Sequence, residues 1–220
     1  MKSKVLLYIL FLLTTIGLHG QKNIYESGRF DEFSRDHEVL AILPFLANLE
    51  LEEEISQTQL QRLEEKEGYA VQDALEIYFS KRKKKKKFSV EFQNTKNTNA
   101  ILAKNNITYD NIDIYTIKEL CKILNVDGII SGTLDLNILL SKGVPTNFSL
   151  IDYIKGNSKY GRIGVKISDG ATGKLLWKYE KKINKKSGKN TTALIEFMMK
   201  RATRKFPYER EKKKNRKKKN

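Results

Sequence analysis

Two side chains in this sequence could form a nucleophile and its base: Cys121, the only cysteine, and His37, one of two histidines. His19 falls in an apolar leader, so a Cys-His or Ser-His arrangement would rest on His37 alone. Cys121 lies four residues after Ile117 and three before Leu124, the spacing of one helical stripe. An inert, buried thiol is therefore expected. One cysteine permits no intramolecular disulfide and no cysteine metal cluster. Carboxylates gather between 48 and 67 as Glu50, Glu52, Glu53, Glu54, Glu64, Glu65 and Glu67. Acid-base work or a hard cation would need them convergent in a dry pocket, whereas along a weakly helical segment they form a solvated face. No P-loop, GxSxG or HExxH pattern occurs. The sequence thus reads as non-enzymatic, with no cofactor.

Binding chemistry is more visible. The net charge is +16, and two runs hold most of it. Lys81, Arg82, Lys83, Lys84, Lys85, Lys86 and Lys87 form the first; Lys212, Lys213, Lys214, Arg216, Lys217, Lys218 and Lys219 dominate the second. Such runs can hold polyanions by counterion release without reading sequence. Beside them lie only Phe88 and Tyr208 as aromatic platforms, which disfavours single-stranded nucleic acid and leaves lipopolysaccharide phosphates or phospholipid headgroups as the polyanion reading. A solubilising loop and tail explain the same runs equally well.

The chain starts with Lys2 and Lys4, an apolar run over 5–13, and small and polar residues to Gly20. This is the pattern of a signal peptide over 1–20, and the apolar run is short for a membrane span. Gln21 stands where a lipoprotein would carry cysteine, so an exported protein without a lipid anchor at that position is expected.

The elements that would position these groups follow in order. Residues 21–37 form a lead-in segment. The apolar run 38–45 is a buried strand ended by Pro44. Val71, Ala74, Leu75 and Tyr78 form the stripe of an amphipathic helix, and 88–92 alternates as a half-buried strand. Thr98 is expected to cap a short helix that Asn105 and Asn106 close, and Thr116 with Glu119 makes a capping box for the helix carrying Cys121. A strand over 129–136, a loop over 141–160 and a hairpin through Ile163, Val165, Ile167, Asp169, Gly170, Thr172, Gly173, Leu175, Trp177 and Tyr179 come next. In the hairpin turn, Asp169 and Thr172 offer acceptors and Gly170 and Gly173 positive φ, while Trp177 is expected as a core anchor rather than a ligand-stacking ring. Thr191 or Thr192 caps a last helix, with Leu194, Ile195, Met198, Met199 and Ala202 inward and Pro207 ending it. The pattern predicts a layered α/β domain over 38–205 with a single mixed sheet and flanking helices, followed by a basic, disordered tail over 206–220.

Three stretches carry a resemblance. Residues 38–45, ending Leu-Pro-Phe, resemble the first strand of CsgG-like and TolB N-terminal-like domains, the LpoB-like proteins among them. Residues 124–132, from a helix through Val126-Asp127 into a glycine-bearing strand, and 165–177, a strand-turn-strand with Asp169 and Thr172-Gly173, are similar to later parts of the same domains. The resemblance implies a periplasmic or outer-membrane-associated envelope protein that docks onto a protein partner through a free strand edge or a helix face. Secretion, activation of a peptidoglycan synthase and envelope scaffolding are the roles it suggests. The chain departs from the family in lacking the lipoprotein cysteine and in carrying the two basic runs, departures that bear on membrane anchoring and on any secretion-channel role.

Overall fold

The computed structural model describes residues 24–51, 55–83, 88–140, 160–183, 190–202 and 206–209. Residues 1–23, most of both basic runs and residues 141–159, where a loop is expected, lie outside them. The order is β1 (Ile24–Glu26), α1 (Phe30–Phe33), β2 (Val39–Ile42), β3 (Leu46–Leu49), α2 (Gln57–Lys83), β4 (Glu91–Phe92), α3 (Thr95–Lys104), a 3-10 turn (Ile112–Ile114), α4 (Ile117–Leu124), β5 (Gly128–Leu136), β6 (Gly161–Asp169), β7 (Leu175–Ile183) and α5 (Thr191–Ala202). Among the described residues the strands form a single mixed sheet in the order β1-β7-β6-β5-β2-β4, with β3 also on β5. The mixed α/β fold with flanking helices is thus the one the pattern predicts.

The apolar run at 38–45 is not one strand. Pro44 has no N–H to give to the sheet, and the chain steps off β5 after Leu43 donates to the Ile130 carbonyl at 2.9 Å. Phe45 turns its amide to the Gly68 carbonyl of α2 at 3.2 Å, and β3 then rejoins β5 from Thr133 onward. Gly132 permits the detour: a Cβ there would lie 2.2 Å from the Phe45 ring. The segment at 48–67 is likewise divided between the end of β3 and a helix that begins only at Gln57. Its carboxylates are not all solvated, since Glu67 is fully buried and Glu64 accepts from the Leu49 amide at 3.0 Å.

Two cores flank the sheet. On one face α2 contributes Val71, Ala74, Leu75, Tyr78 and Phe79, and α5 contributes Leu194, Ile195, Met198 and Met199; they pack on Ile130, Leu134, Ile163, Val165, Ile167 and Trp177. Trp177 is fully buried, edge-on to Phe206 at 5.6 Å between centroids, as a core anchor should be. On the other face α3 and α4 cover Ala41, Leu43 and Ile129 at the β2–β5 corner, with Leu102, Leu120, Cys121 and Leu124, and Val39 and Leu46 pack at the margin of this cluster.

Caps decide where several helices start. Thr116 and Glu119 form the expected capping box. The α3 cap is Asn94, whose side chain accepts from Lys96 and Asn97, while Thr98 lies buried inside the helix. At α5 the Asn190 side chain accepts from the Ala193 amide at 2.9 Å, a position that neither Thr191 nor Thr192 fills. In the β6–β7 turn only Gly173 has positive φ, +74°. Gly170 is needed for space instead, because a Cβ would sit 2.8 Å from both the Asp127 carbonyl and Cys121 Sγ.

The largest departure is at the C-terminal side. Phe206 and Tyr208 are buried core residues rather than the start of a disordered tail. Phe206 meets Phe79, Phe88 and Trp177, and Glu209 bridges to Phe88 while the Ser89 amide donates to the Tyr208 carbonyl. A run of three apolar or aromatic residues followed by many cations looks like a tail in sequence, yet the aromatics fill a gap between α2, Phe88 and β7.

Candidate functional site

His37 is the centre of a buried polar chain. Its Nε2 lies 2.9 Å from Asp169 Oδ1 and its Nδ1 2.6 Å from the Tyr208 hydroxyl. Asp169 Oδ2 accepts from the Thr172 amide at 2.8 Å and from the Thr172 hydroxyl. Burial opposes the charge on Asp169, but the hydrogen bonds from Thr172 and His37 hold its carboxyl below the usual range. An ionised Asp169 can only accept, which makes His37 Nε2–H the donor to it and sets Nδ1 against the Tyr208 hydroxyl. Burial, with Asp169 and Asp127 nearby, pushes the Tyr208 phenol well up, so it stays protonated.

A hydroxyl, an imidazole and a carboxylate in line have the topology of a nucleophile and its base. Here the three are between 2% and 6% exposed, and the Phe30 ring packs edge-on against Tyr208. What the arrangement does is fasten. It ties the segment before β2, the β6–β7 turn and the 206–209 segment at one point. Next to it, Asp127 Oδ2 accepts from the Glu38 and Val39 amides, both at 2.8 Å, and the Gly170 amide donates to the Asp127 carbonyl at 2.8 Å. Cys121 backs onto this corner, where burial first and the fields of Asp169 and Asp127 second push its thiol up to about 12. Both ring nitrogens of His37 are taken, so Cys121 has no base in it.

A free strand edge is one of the expected docking surfaces, and the edge that β3 presents is closed. In β3 the amides that point away from β5 belong to Ala47 and Leu49. Ala47 N–H donates to the Tyr109 hydroxyl at 2.7 Å, and Tyr109 donates to the Phe45 carbonyl at 3.0 Å. Glu64 takes Leu49 N–H. Side chains thus cap an edge that would otherwise pair with another chain.

Of the predicted polyanion-binding residues, Lys81 is exposed, but Arg82 is not free for a phosphate. Its guanidinium pairs with Glu209 at 2.7 Å and lies 5.7 Å from the Tyr78 ring centroid. The side chains of Lys83, Lys84, Lys85, Lys86 and Lys87, and all of Lys212, Lys213, Lys214, Arg216, Lys217, Lys218 and Lys219, fall outside the described residues. Among the described residues no group of three His, Cys, Asp or Glu is placed to hold a metal ion, and no helix is long and apolar enough to cross a membrane.

The part of the molecule that sequence reasoning overlooked is the face of β5, β6 and β7 that turns away from α2 and α5. Among the described residues that face is left uncovered beyond Ile129, and three rows of side chains cross it. Tyr25, Lys178, Lys166 and Ser131 are in register in the first row; Glu180, Gly164 and Thr133 in the second; Lys182, Arg162 and Asp135 in the third. Thr133, Asp135, Arg162 and Lys182 are exposed, and Tyr25 is 50% exposed. The signal was present in the alternation itself: the polar positions of β6 and β7 between the core residues are mostly basic.

No protein-family model matches the chain, and no curated protein matches it in sequence. Solved structures share part of its arrangement. Lipoprotein GNA1162 from Neisseria meningitidis is 11% identical, over 66% of this chain and 79% of that one, with a TM-score of 0.41. The LpoB C-terminal domain from Salmonella enterica is 7% identical, over 70% and 92%, with a TM-score of 0.38. The PelC dodecamer from Paraburkholderia phytofirmans is 8% identical, over 74% and 88%, with a TM-score of 0.25. At these identities and scores the likeness carries neither function nor partner to this chain.

Proposed function

We propose that this chain is an exported, non-enzymatic protein of the cell envelope, periplasmic or associated with the outer membrane, that works by docking onto a protein partner. The observation that supports docking most is the uncovered face of β5, β6 and β7. A mixed sheet whose opposite face holds the larger core presents there a firm, pre-formed surface, backed by Trp177, Val165 and Leu134. The groups with reactive chemistry serve the interior: His37, Asp169 and Tyr208 join three segments, and Cys121 packs against Gly170. The charged start and short apolar run over 1–20 support export. Secretion, peptidoglycan-synthase activation and scaffolding remain the roles that the family resemblance suggests.

A pull-down from envelope extract tests this reading. The exported wild type should retain a discrete protein, and Thr133→Arg, which places a long side chain in the middle row, should lose it while melting like the wild type. Equal recovery by both would move the docking surface elsewhere. Recovery that depends only on the basic runs, and that moderate salt abolishes, would favour polyanion attraction.

A further inference from the structure

The uncovered face carries like charges in directly opposed positions. Lys166 lies directly across from Lys178, and Arg162 directly across from Lys182. Like charges in directly opposed cross-strand positions destabilise a sheet. Two such pairs, four residues apart on each strand, sit about 13 Å from one another. Between them come Glu180 and Gly164, also in register. Lys178 Nζ lies 2.7 Å from Glu180 Oε1, and that contact first, with Arg162 and Lys166 adding their fields, holds the Glu180 carboxyl below its usual range. Asp135 faces Arg162 from β5. Four cations thus stand against two carboxylates, and the excess is placed at the two ends of the patch. Gly164 is a buried floor in its middle; a Cβ there would find no atom nearer than 3.4 Å, so close packing does not require the glycine.

We infer that this patch receives an extended acidic segment of a partner protein, with a carboxylate over each like-charged pair and a basic side chain over Glu180. The inference rests on the docking reading above and names its chemistry. Side chains on one face of an extended chain recur every second residue, about 7 Å apart, so an acidic, basic, acidic pattern at alternate positions spans the rows. The bound carboxylates relieve the repulsion within each pair. The central Glu180 selects against a uniformly anionic surface, which would place a negative charge over it. This is the ground for a protein segment over a lipid headgroup layer.

The test titrates the exported protein with the blocked-end peptide Glu-Thr-Lys-Thr-Glu and follows the Gly164 amide by NMR. Saturable shifts are expected, with weaker binding by about two- to fivefold in Lys166→Ala, the loss of roughly one charge pair. Lys166→Ala should melt no lower than the wild type, since it also removes a repulsion. Glu180→Lys should weaken this peptide and strengthen Glu-Thr-Glu-Thr-Glu. No shift at Gly164, or equal binding by Lys-Thr-Glu-Thr-Lys, overturns the inference. So does tighter binding to phosphatidylglycerol vesicles that Lys166→Ala abolishes. If a crosslinker at Thr133 captures a partner that the peptide does not displace, docking stands and the acidic chemistry fails.

Discussion

The Tyr208 hydroxyl stands 2.6 Å from His37 Nδ1 and joins residues 171 positions apart in the chain. Because of this contact the ordered domain extends past Pro207, and the last described residues belong to its core. Tyr208→Phe keeps the ring and removes the donor, leaving His37 Nδ1 buried without a partner. It should cost about 1–3 kcal/mol in urea unfolding. Ending the chain at Lys205 removes Phe206 as well, each large aromatic contributing about 3–5 kcal/mol, and the product should not fold stably. A truncated chain with the wild-type unfolding midpoint would contradict this.

Acid should weaken the same junction. The folded pKa of Asp169 lies below its unfolded value of 3.8, so its contribution is complete above that value and is lost as pH falls through the folded one. Tyr208 works in the opposite direction: its folded pKa lies above 10, and its contribution is present below pH 10 and lost as pH rises further. Asp169→Asn should flatten the acid limb of the stability profile, and Tyr208→Phe the alkaline limb. Each limb unchanged in its variant would remove that residue from the account.

Cys121 should react slowly with a thiol reagent in the native protein and rapidly in denaturant, because its thiol is 5% exposed and pushed up to about 12. Gly170→Ala presses a methyl against Cys121 Sγ and, less yieldingly, the Asp127 carbonyl. It should destabilise the protein and speed the native reaction. Equal native and denatured rates in the wild type would show the thiol to be accessible.

The capped β3 edge predicts a change in association. Tyr109→Phe combined with Glu64→Ala strips the partners from Ala47 N–H and Leu49 N–H, so the variant should self-associate in light scattering where the wild type does not. A variant that remains as dispersed as the wild type would show that these side chains are not what protects the edge.

Much of this architecture was legible in the sequence, and the failures share a cause. The α2 stripe, the Thr116–Glu119 box and the β6–β7 hairpin depend on residues near one another in the chain, and they appear as the spacing predicts. The split of 38–45 depends on Gly132 making room for Phe45, and the burial of Phe206 on a gap lined by α2 and β7. Those are tertiary facts that no local period reports. His37 was visible only as a lone histidine, because its partners Asp169 and Tyr208 are 132 and 171 residues away. The basic face was hidden by arithmetic: outside the two lysine runs the chain is close to neutral, and only strand register shows that four of the remaining cations share one surface.

Docking through the uncovered face is the central claim, and photo-crosslinking in the producing cell tests it most directly. A photoreactive residue at Thr133, in the middle row, should give one discrete adduct of higher mass, and one at Gln61, exposed on α2, should give none. Adducts from Gln61 and none from Thr133 would contradict the account.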